Sequence, residues 1–389
     1  MLRHLTTALS TGFSDFMHSR TWLIACIAAT LIAFAIKLWL AWTTLGAGDI
    51  SVWTSFLSHI KECGSCVYDT GGFMQYPDGT RRLNPFNHPP FIIHYLRFID
   101  FVAGVTLLPF RSVLRALTSV FDIGSVVILY KLLKNRNLPV SRLLLYIAAP
   151  ATIIVSGHHG NTDTLMILFV LLTALLLESG SKWAGLAFGF ALCIKIVPII
   201  FAAVFLFYLS DSRSRVRFLG LAALTGIVLS LPYILIEPIT IIREVMGYSG
   251  FAGRWGFSRV FFVAFGPASD VFAVYVRLAA YLLLGYIIWM SYKHRGKDLM
   301  LQMGLAVFLF ISFSPAWGSN YMAWLDPFPI FLGVWPALIY YLSSGALMVY
   351  LYFINDDESS RLMGWCWAAV LIVTWQFLRR VAKNGQRTI

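Results

Sequence analysis

A carboxylate and several imidazoles fall at the ends of long apolar stretches in this chain, where they could do acid–base work on a substrate that lives in lipid. Gly48-Asp49 comes just past Trp22 to Trp42, a segment almost wholly apolar and long enough to cross a bilayer. Asp49 is therefore expected near the membrane surface, at the start of a long polar loop. A carboxylate placed there can serve as a general base. Asp also caps helix N-termini well, and a helix over 50–62 would accept it in that role. The two roles are compatible, since a capping carboxylate can face a cleft.

Four further stretches carry polar groups of the same kind. In P-F-N-H-P-P-F (85–91), His88 precedes a Pro-Pro pair that stiffens the chain and starts a helix. That is either a rigid mount for a functional imidazole or a plain loop-to-helix junction. In G-H-H-G-N-T-D (157–163), His158 and His159 stand beside a helix N-terminus and can cradle phosphate, while Asn161, Thr162 and Asp163 read as caps. Arg254 and Arg259, in G-F-A-G-R-W-G-F-S-R (250–259), suit bidentate contact with phosphate, with Trp255 and Phe257 beside them. S-P-A-W-G-S-N-Y-M-A-W-L-D-P (314–327) offers Asn320, Tyr321, Trp324 and Asp326 as the lining of a sugar pocket, or as a helix-breaking turn with belt aromatics. Lys195, near the end of its apolar segment and close to Pro198, is placed to reach a phosphate at the interface.

The elements that must hold these groups are apolar helices. The chain has 389 residues, 59% of them hydrophobic and 12% charged, with a mean hydropathy of +0.75. A soluble domain needs more charge to cover its surface. The apolar residues come in blocks separated by short polar gaps, which is the pattern of an all-α polytopic transmembrane bundle. About twelve spans are expected: 21–42, 112–133, 141–156, 163–178, 183–196, 198–210, 217–235, 270–292, 299–313, 321–335, 337–354 and 361–378. The whole of 1–389 reads as one integral membrane domain. No small-residue cleavage site follows a short apolar run, so the first helix is expected to be retained.

Net charge is +12, and the basic residues cluster in short loops: Lys131, Lys134, Arg136 and Arg142; Arg213, Arg215 and Arg217; Lys293, Arg295 and Lys297; and the tail Arg379, Arg380, Lys383 and Arg387. That is the positive-inside signature, not a nucleic-acid surface. It puts both termini inside and Asp356-Asp357-Glu358 outside. The first outer loop, 43–111, holds two expected interfacial helices, 50–62 and 90–108. Few charges lie within spans: Lys37, able to snorkel; Asp122, able to pair with Lys195, Arg277 or Arg115; Lys195; and Arg277. Cys63 and Cys66 allow a short disulfide in an oxidising compartment, and Cys26, Cys193 and Cys366 read as small apolar residues.

Taken in order, these motifs resemble the glycosyltransferase C superfamily, over most of the chain. Gly48-Asp49 matches the place of that superfamily's catalytic Asp, early in the first outer loop. N-H-P-P-F-I-I-H-Y (87–95) looks like the Pro-Pro junction of asparagine-linked glycosylation glucosyltransferases. G-H-H-G-N-T-D-T-L, with A-G-L-A-F-G-F-A-L-C-I-K-I-V-P (184–198) and the 314–327 run, is similar to bacterial mannosyltransferases and their eukaryotic relatives. Ile50 follows Asp49, so the Asp-Glu pair of protein O-mannosyltransferases is absent, as are a clear W-W-D signature and a large soluble domain.

The resemblance implies a polyprenyl-phosphate sugar as donor, a lipid, glycan or glycolipid as acceptor, and no obligatory metal or other cofactor. On that reading a hexose, mannose or glucose, moves to an acceptor hydroxyl at the extracytoplasmic face. The membrane would be the inner membrane of a bacterium or the endoplasmic reticulum of a eukaryote. Asp49 takes the hydroxyl proton in one inverting displacement. His88 orients Asp49 or binds the acceptor. His158, His159, Lys195, Arg254 and Arg259 face the donor phosphate, and Asn320, Tyr321 and Trp324 face sugar. The rival reading is a transporter or lipid flippase, which predicts paired intramembrane charges, broken helices and repeated halves.

Overall fold

The computed structural model describes residues 2–75, 79–247, 251–354 and 359–383. Asp356-Asp357-Glu358 and Arg387 lie outside the described residues. The described chain is almost entirely helical. The helices that position the site are α1 (Leu2–Thr43), α2 (Gly48–Cys63), α3 (Phe91–Thr106), α4 (Phe110–Asn135), α5 (Pro150–Ile154), α6 (Asp163–Glu178), α7 (Ala184–Ile194), α8 (Ser212–Ile234), α9 (Asp270–Lys293), α10 (Leu299–Phe313), α11 (Val334–Val349) and α12 (Ser359–Lys383).

Among the described residues, six helical stretches are long and apolar enough to cross a membrane: Arg20–Thr43, Phe110–Asn135, Ser212–Ile234, Asp270–Lys293, Val334–Ile354 and Arg361–Lys383. The count becomes seven if Val140–Ile147 and Pro150–His159, which meet at 48°, form one bent span. The protein is thus an integral membrane protein with fewer full-length spans than the twelve apolar blocks of its sequence. The difference lies in short helices. Ala184–Ile194, Val197–Tyr208, Gly256–Phe265 and Leu299–Phe313 are apolar but only 10–17 residues long. At 1.5 Å per residue such helices fall short of a ~30 Å hydrocarbon core.

The middle of the bundle is packed through small residues. α7 lies against both α6 and α8. A Cβ at Gly185 would stand 2.3 Å from the Phe218 carbonyl oxygen, and one at Gly189 would stand 2.6 Å from the Thr225 Cβ. The four-residue spacing puts both glycines on the face that meets α8, so the backbones approach closely, as small-xxx-small pairs allow.

α1 packs on α4, and the two share a buried ion pair, Lys37 Nζ to Asp122 Oδ2 at 2.6 Å, with both side chains about 5% exposed. Lys37 therefore does not snorkel, and Asp122 takes none of the three partners expected for it. A lone charge at this depth would be far costlier than the pair.

The loop between α1 and α4 is built largely on α2 and α3. Ile50, Val52, Trp53, Phe56, Leu57 and Ile60, the apolar side read from the sequence, are all buried in protein. That face of α2 packs inward instead of onto lipid. A hairpin, β1 (Gly72–Gln75) with β2 (Arg81–Asn84), packs against α2, with Phe73 opposite Leu83. A second two-stranded ladder, β3 (Phe251–Ala252) with β4 (Ala316–Trp317), ties the loop before Gly256–Phe265 to the turn after α10. Trp255 and Trp317 stack beside it at 4.9 Å. Cys63 and Cys66, at the end of α2, are joined by a disulfide.

Candidate active site

The start of α2 is fixed from below by Arg115. This guanidinium, fully buried on α4, donates to the carbonyls of Ala41 (2.8 Å) and Thr44 (2.9 Å) and to the Thr44 hydroxyl (2.9 Å). The last carbonyls of α1 have no helical partner, and a planar donor fork satisfies several at once. The chain then turns through Gly46, at φ +89°, a conformation that favours glycine, and enters α2.

Asp49 is the second residue of α2. Its carboxylate makes no helix cap. Oδ2 instead accepts from His159 Nε2 at 2.8 Å and from Asn161 Nδ2 at 2.8 Å. Oδ1 has no hydrogen-bond partner among the described residues, and the side chain is 29% exposed. One oxygen is tied and the other faces open space. Burial pushes this carboxyl up, but His159, Lys195 and Asn161 outweigh it and hold it down to about 2. Asp49 is therefore a carboxylate at any ordinary pH.

His159 ends a π-helical turn, Val155–His159, that continues α5. Its other nitrogen, Nδ1, meets the Tyr352 hydroxyl at 2.5 Å. Tyr352 lies in a second π-helical turn, Tyr350–Ile354, at the end of α11, and its hydroxyl also meets Ser319 Oγ at 2.7 Å. His158 points elsewhere: its ring is buried and bonds the Thr44 hydroxyl at 3.0 Å.

A second carboxylate forms the other half of the cluster. Asp163 opens α6 and is completely buried. It accepts from Lys195 Nζ at 2.5 Å, Asn320 Nδ2 at 2.5 Å and Trp324 Nε1 at 2.8 Å. The cap role read for Asp163 from the sequence is thus replaced by a hub for three donors. Such a set is what a buried carboxylate requires. Lys195 ends α7, where the helix gives way to extended backbone before Pro198. Its ammonium also lies 5.8 Å from the Trp324 ring, on which Tyr321 stacks at 3.9 Å.

His88 stands between the halves. Its ring packs on Trp53 (4.7 Å) and Phe86 (5.8 Å), and the Tyr68 hydroxyl holds its carbonyl at 2.8 Å. Burial holds the imidazole neutral, down to about 3; Lys195 pushes the same way and Asp49 opposes it. Its Nδ1 is buried without a partner.

The structure thus brings Asp49, His88, His159, Lys195, Asn320 and Trp324 into one cluster. It leaves His158 turned toward Thr44, and Arg259 exposed over the Phe262 ring at 5.4 Å. Arg254 is exposed in the turn after β3. Asp326 is fully buried against Thr152. Asn161, Asp163, Tyr352 and Ser319 enter as structural members that the sequence reading gave no such part. Among the described residues, no three His, Cys, Asp or Glu side chains converge to hold a metal ion.

The sequence model of glycosyltransferase family 87 matches residues 86–315, more than half of the chain. The chain belongs to glycosyltransferase family 87. It is therefore a sugar-transferring membrane enzyme. No curated protein matches it. The segment matched to family 87 contains His88, His159, Asp163 and Lys195, whereas Asp49, Asn320, Trp324 and Tyr352 come from outside it. The cluster is closed by both ends of the chain.

Proposed function

We propose that this family 87 enzyme moves a hexose, mannose or glucose, from a polyprenyl-phosphate sugar to an acceptor hydroxyl on a lipid, glycan or glycolipid. The reaction takes place at the extracytoplasmic face, and 1–389 acts as a single catalytic unit. The observation that supports this most is the asymmetry of Asp49: one oxygen is held by His159 and Asn161, and the other is open beside a buried Lys–Asp pair.

Asp49 Oδ1 takes the proton of the acceptor hydroxyl as that oxygen attacks the anomeric carbon. The bond from that carbon to the phosphate oxygen breaks, and its electron pair leaves with the phosphate. A single displacement inverts the anomeric centre. The charge growing on the phosphate needs fixed cations in a site poor in water. Lys195, held in place by Asp163, is the cation of the cluster, and Arg254 and Arg259 are exposed basic groups that follow β3. His88 is neutral and carries a free Nδ1, which suits a hydroxyl of the acceptor. His159 has both nitrogens engaged, which leaves the base role to Asp49. Asn320, Tyr321 and Trp324 offer an amide and stacked rings to a sugar.

The test uses the protein in nanodiscs with labelled polyprenyl-phosphate mannose and glucose. Release of polyprenyl phosphate and the anomeric configuration of the product are followed with a panel of acceptors. Asp49→Asn is expected to lower turnover by at least ~10²-fold with donor binding kept. Survival of turnover would move the base elsewhere. Absence of both binding and turnover in the wild type would remove the proposed donor class and favour lipid transport.

A further inference from the structure

With a neutral His159 ring, the hydrogen bonds that run from Asp49 to Ser319 have one consistent direction. A carboxylate at this pH accepts and never donates. The bond at 2.8 Å therefore requires a proton on His159 Nε2. In a neutral imidazole Nδ1 is then a lone pair. The Tyr352 hydroxyl, 2.5 Å away, must donate to it, and its oxygen is left to accept from Ser319 Oγ at 2.7 Å. The chain reads Ser319 to Tyr352 to His159 to Asp49, each group donating to the next.

The backbone supports this register at both ends. His159 and Tyr352 each sit in a π-helical turn, which inserts one extra residue. In a helix of 3.6 residues per turn, an extra residue rotates every later side chain by roughly 100°. The two rings also contact edge to face at 5.4 Å. Single-turn π insertions are frequent at functional sites.

We infer that Tyr352 and Ser319 are positioning residues: they hold the His159 proton on Nε2, and so keep Asp49 Oδ2 occupied and Oδ1 directed at the substrate. Neither need touch the sugar. Without the Tyr352 hydroxyl, His159 can move its proton to Nδ1. The lone pair of Nε2 would then face the carboxylate and release it. The kinetic part of this inference rests on Asp49 being the base. The part about the proton does not.

The experiment has two arms on the full-length protein in nanodiscs. In the first, histidines are labelled with ¹⁵N, and the His159 signals are identified by their loss in His159→Gln. Wild type should show the Nε2-protonated tautomer, and Tyr352→Phe a mixture with the Nδ1 form. In the second, kcat and KM are measured with polyprenyl-phosphate mannose and glucose. Tyr352→Phe should lower kcat roughly 10–30-fold with KM within about threefold, and Ser319→Ala should lower it by about threefold. His159→Gln keeps a donor to Asp49 but has no tautomer to lose. In that background Tyr352→Phe should change kcat less than about twofold, whereas a purely structural role would add its full effect. A wild-type His159 protonated on both nitrogens, or a tautomer that Tyr352→Phe leaves unchanged, overturns the inference whatever kcat does. An unchanged kcat in an active enzyme overturns it as well. A wild type without turnover defeats the proposed donor reaction alone, and the ¹⁵N arm still decides where the proton sits.

Discussion

Asp163→Asn should be the most damaging isosteric change in this protein. The side chain is completely buried and accepts from an ammonium, an indole N–H and an amide, at 2.5, 2.8 and 2.5 Å. An Asn of the same volume has one acceptor oxygen and turns an NH₂ toward the remaining donors. Lys195, with only 12% of its side chain exposed, would lose its counter-charge. Breaking one partner of a buried pair costs about 3–5 kcal/mol, because the other charge stays buried. Asp49 lies close enough to Lys195 to offset part of this, which favours the lower figure, about 3 kcal/mol. That corresponds to a fall of roughly 4 °C in the unfolding midpoint, read by size exclusion after heating in detergent. Lys195→Met should cost a similar amount. The double variant should recover at least about 2 kcal/mol of the summed loss. Additive losses, or an Asp163→Asn protein within about 0.5 kcal/mol of wild type, would refute the hub.

Three further outcomes are expected. Lys37→Met should destabilise by about 3–5 kcal/mol, and adding Asp122→Leu should restore most of that, since the pair is buried and the charges need each other. Gly157→Ala should cost about 1–3 kcal/mol in the same heating assay and lower turnover, because its Cβ would stand 2.8 Å from the Lys37 Cα, backbone that cannot rotate away. Asp49 is held down to about 2, below its ordinary 3.8, so its stabilising contribution is complete above pH ~4 and is lost as pH falls through 3.8 toward 2. Acid titration of unfolding should therefore be shallower in Asp49→Asn below pH 4, by on the order of 2 kcal/mol in total, and the turnover of wild type should show no loss of base between pH 5 and 7.

Much of the site could be read from residue type and place. Asp49 and His88 flank α2 and a Pro-Pro turn, and local sequence says where such groups sit relative to an apolar helix. The buried side of α2 followed from the spacing of Ile50, Trp53, Phe56, Leu57 and Ile60. What could not be read was pairing across long separations. Asp163 and Asn161 look like caps because the capping signature is local, whereas their partners Asn320, Trp324 and Asp49 are more than 100 residues away. Tyr352 lies inside an apolar run and shows no signal at all, because the π turn that aims it is not encoded by a period that the eye can follow. Six or seven helices of the described residues are long and apolar enough to span, against twelve apolar blocks, and that difference has a physical reason as well. Apolar blocks record burial, and a short helix packed inside protein is as apolar as one that crosses lipid.

The cluster is closed by groups from either side of the family 87 segment, and this bears on how the protein is made. Asp49 is synthesised before the family 87 segment, whereas Asn320, Trp324 and Tyr352 follow it. At about 5–20 residues per second, the roughly 300 residues between Asp49 and Tyr352 take about 15–60 s to translate. Over the roughly 160 residues from Asp163 to Trp324, Asp163 lacks donors that have yet to be made, and His159 lacks the hydroxyl on its Nδ1 side until Tyr352 follows. A nascent chain stopped before α11 would hold the whole family 87 segment and yet no finished centre. The cluster is thus assembled only once the membrane region has been made through α11, and a chain cut short there would lack the Tyr352 hydroxyl that His159 meets.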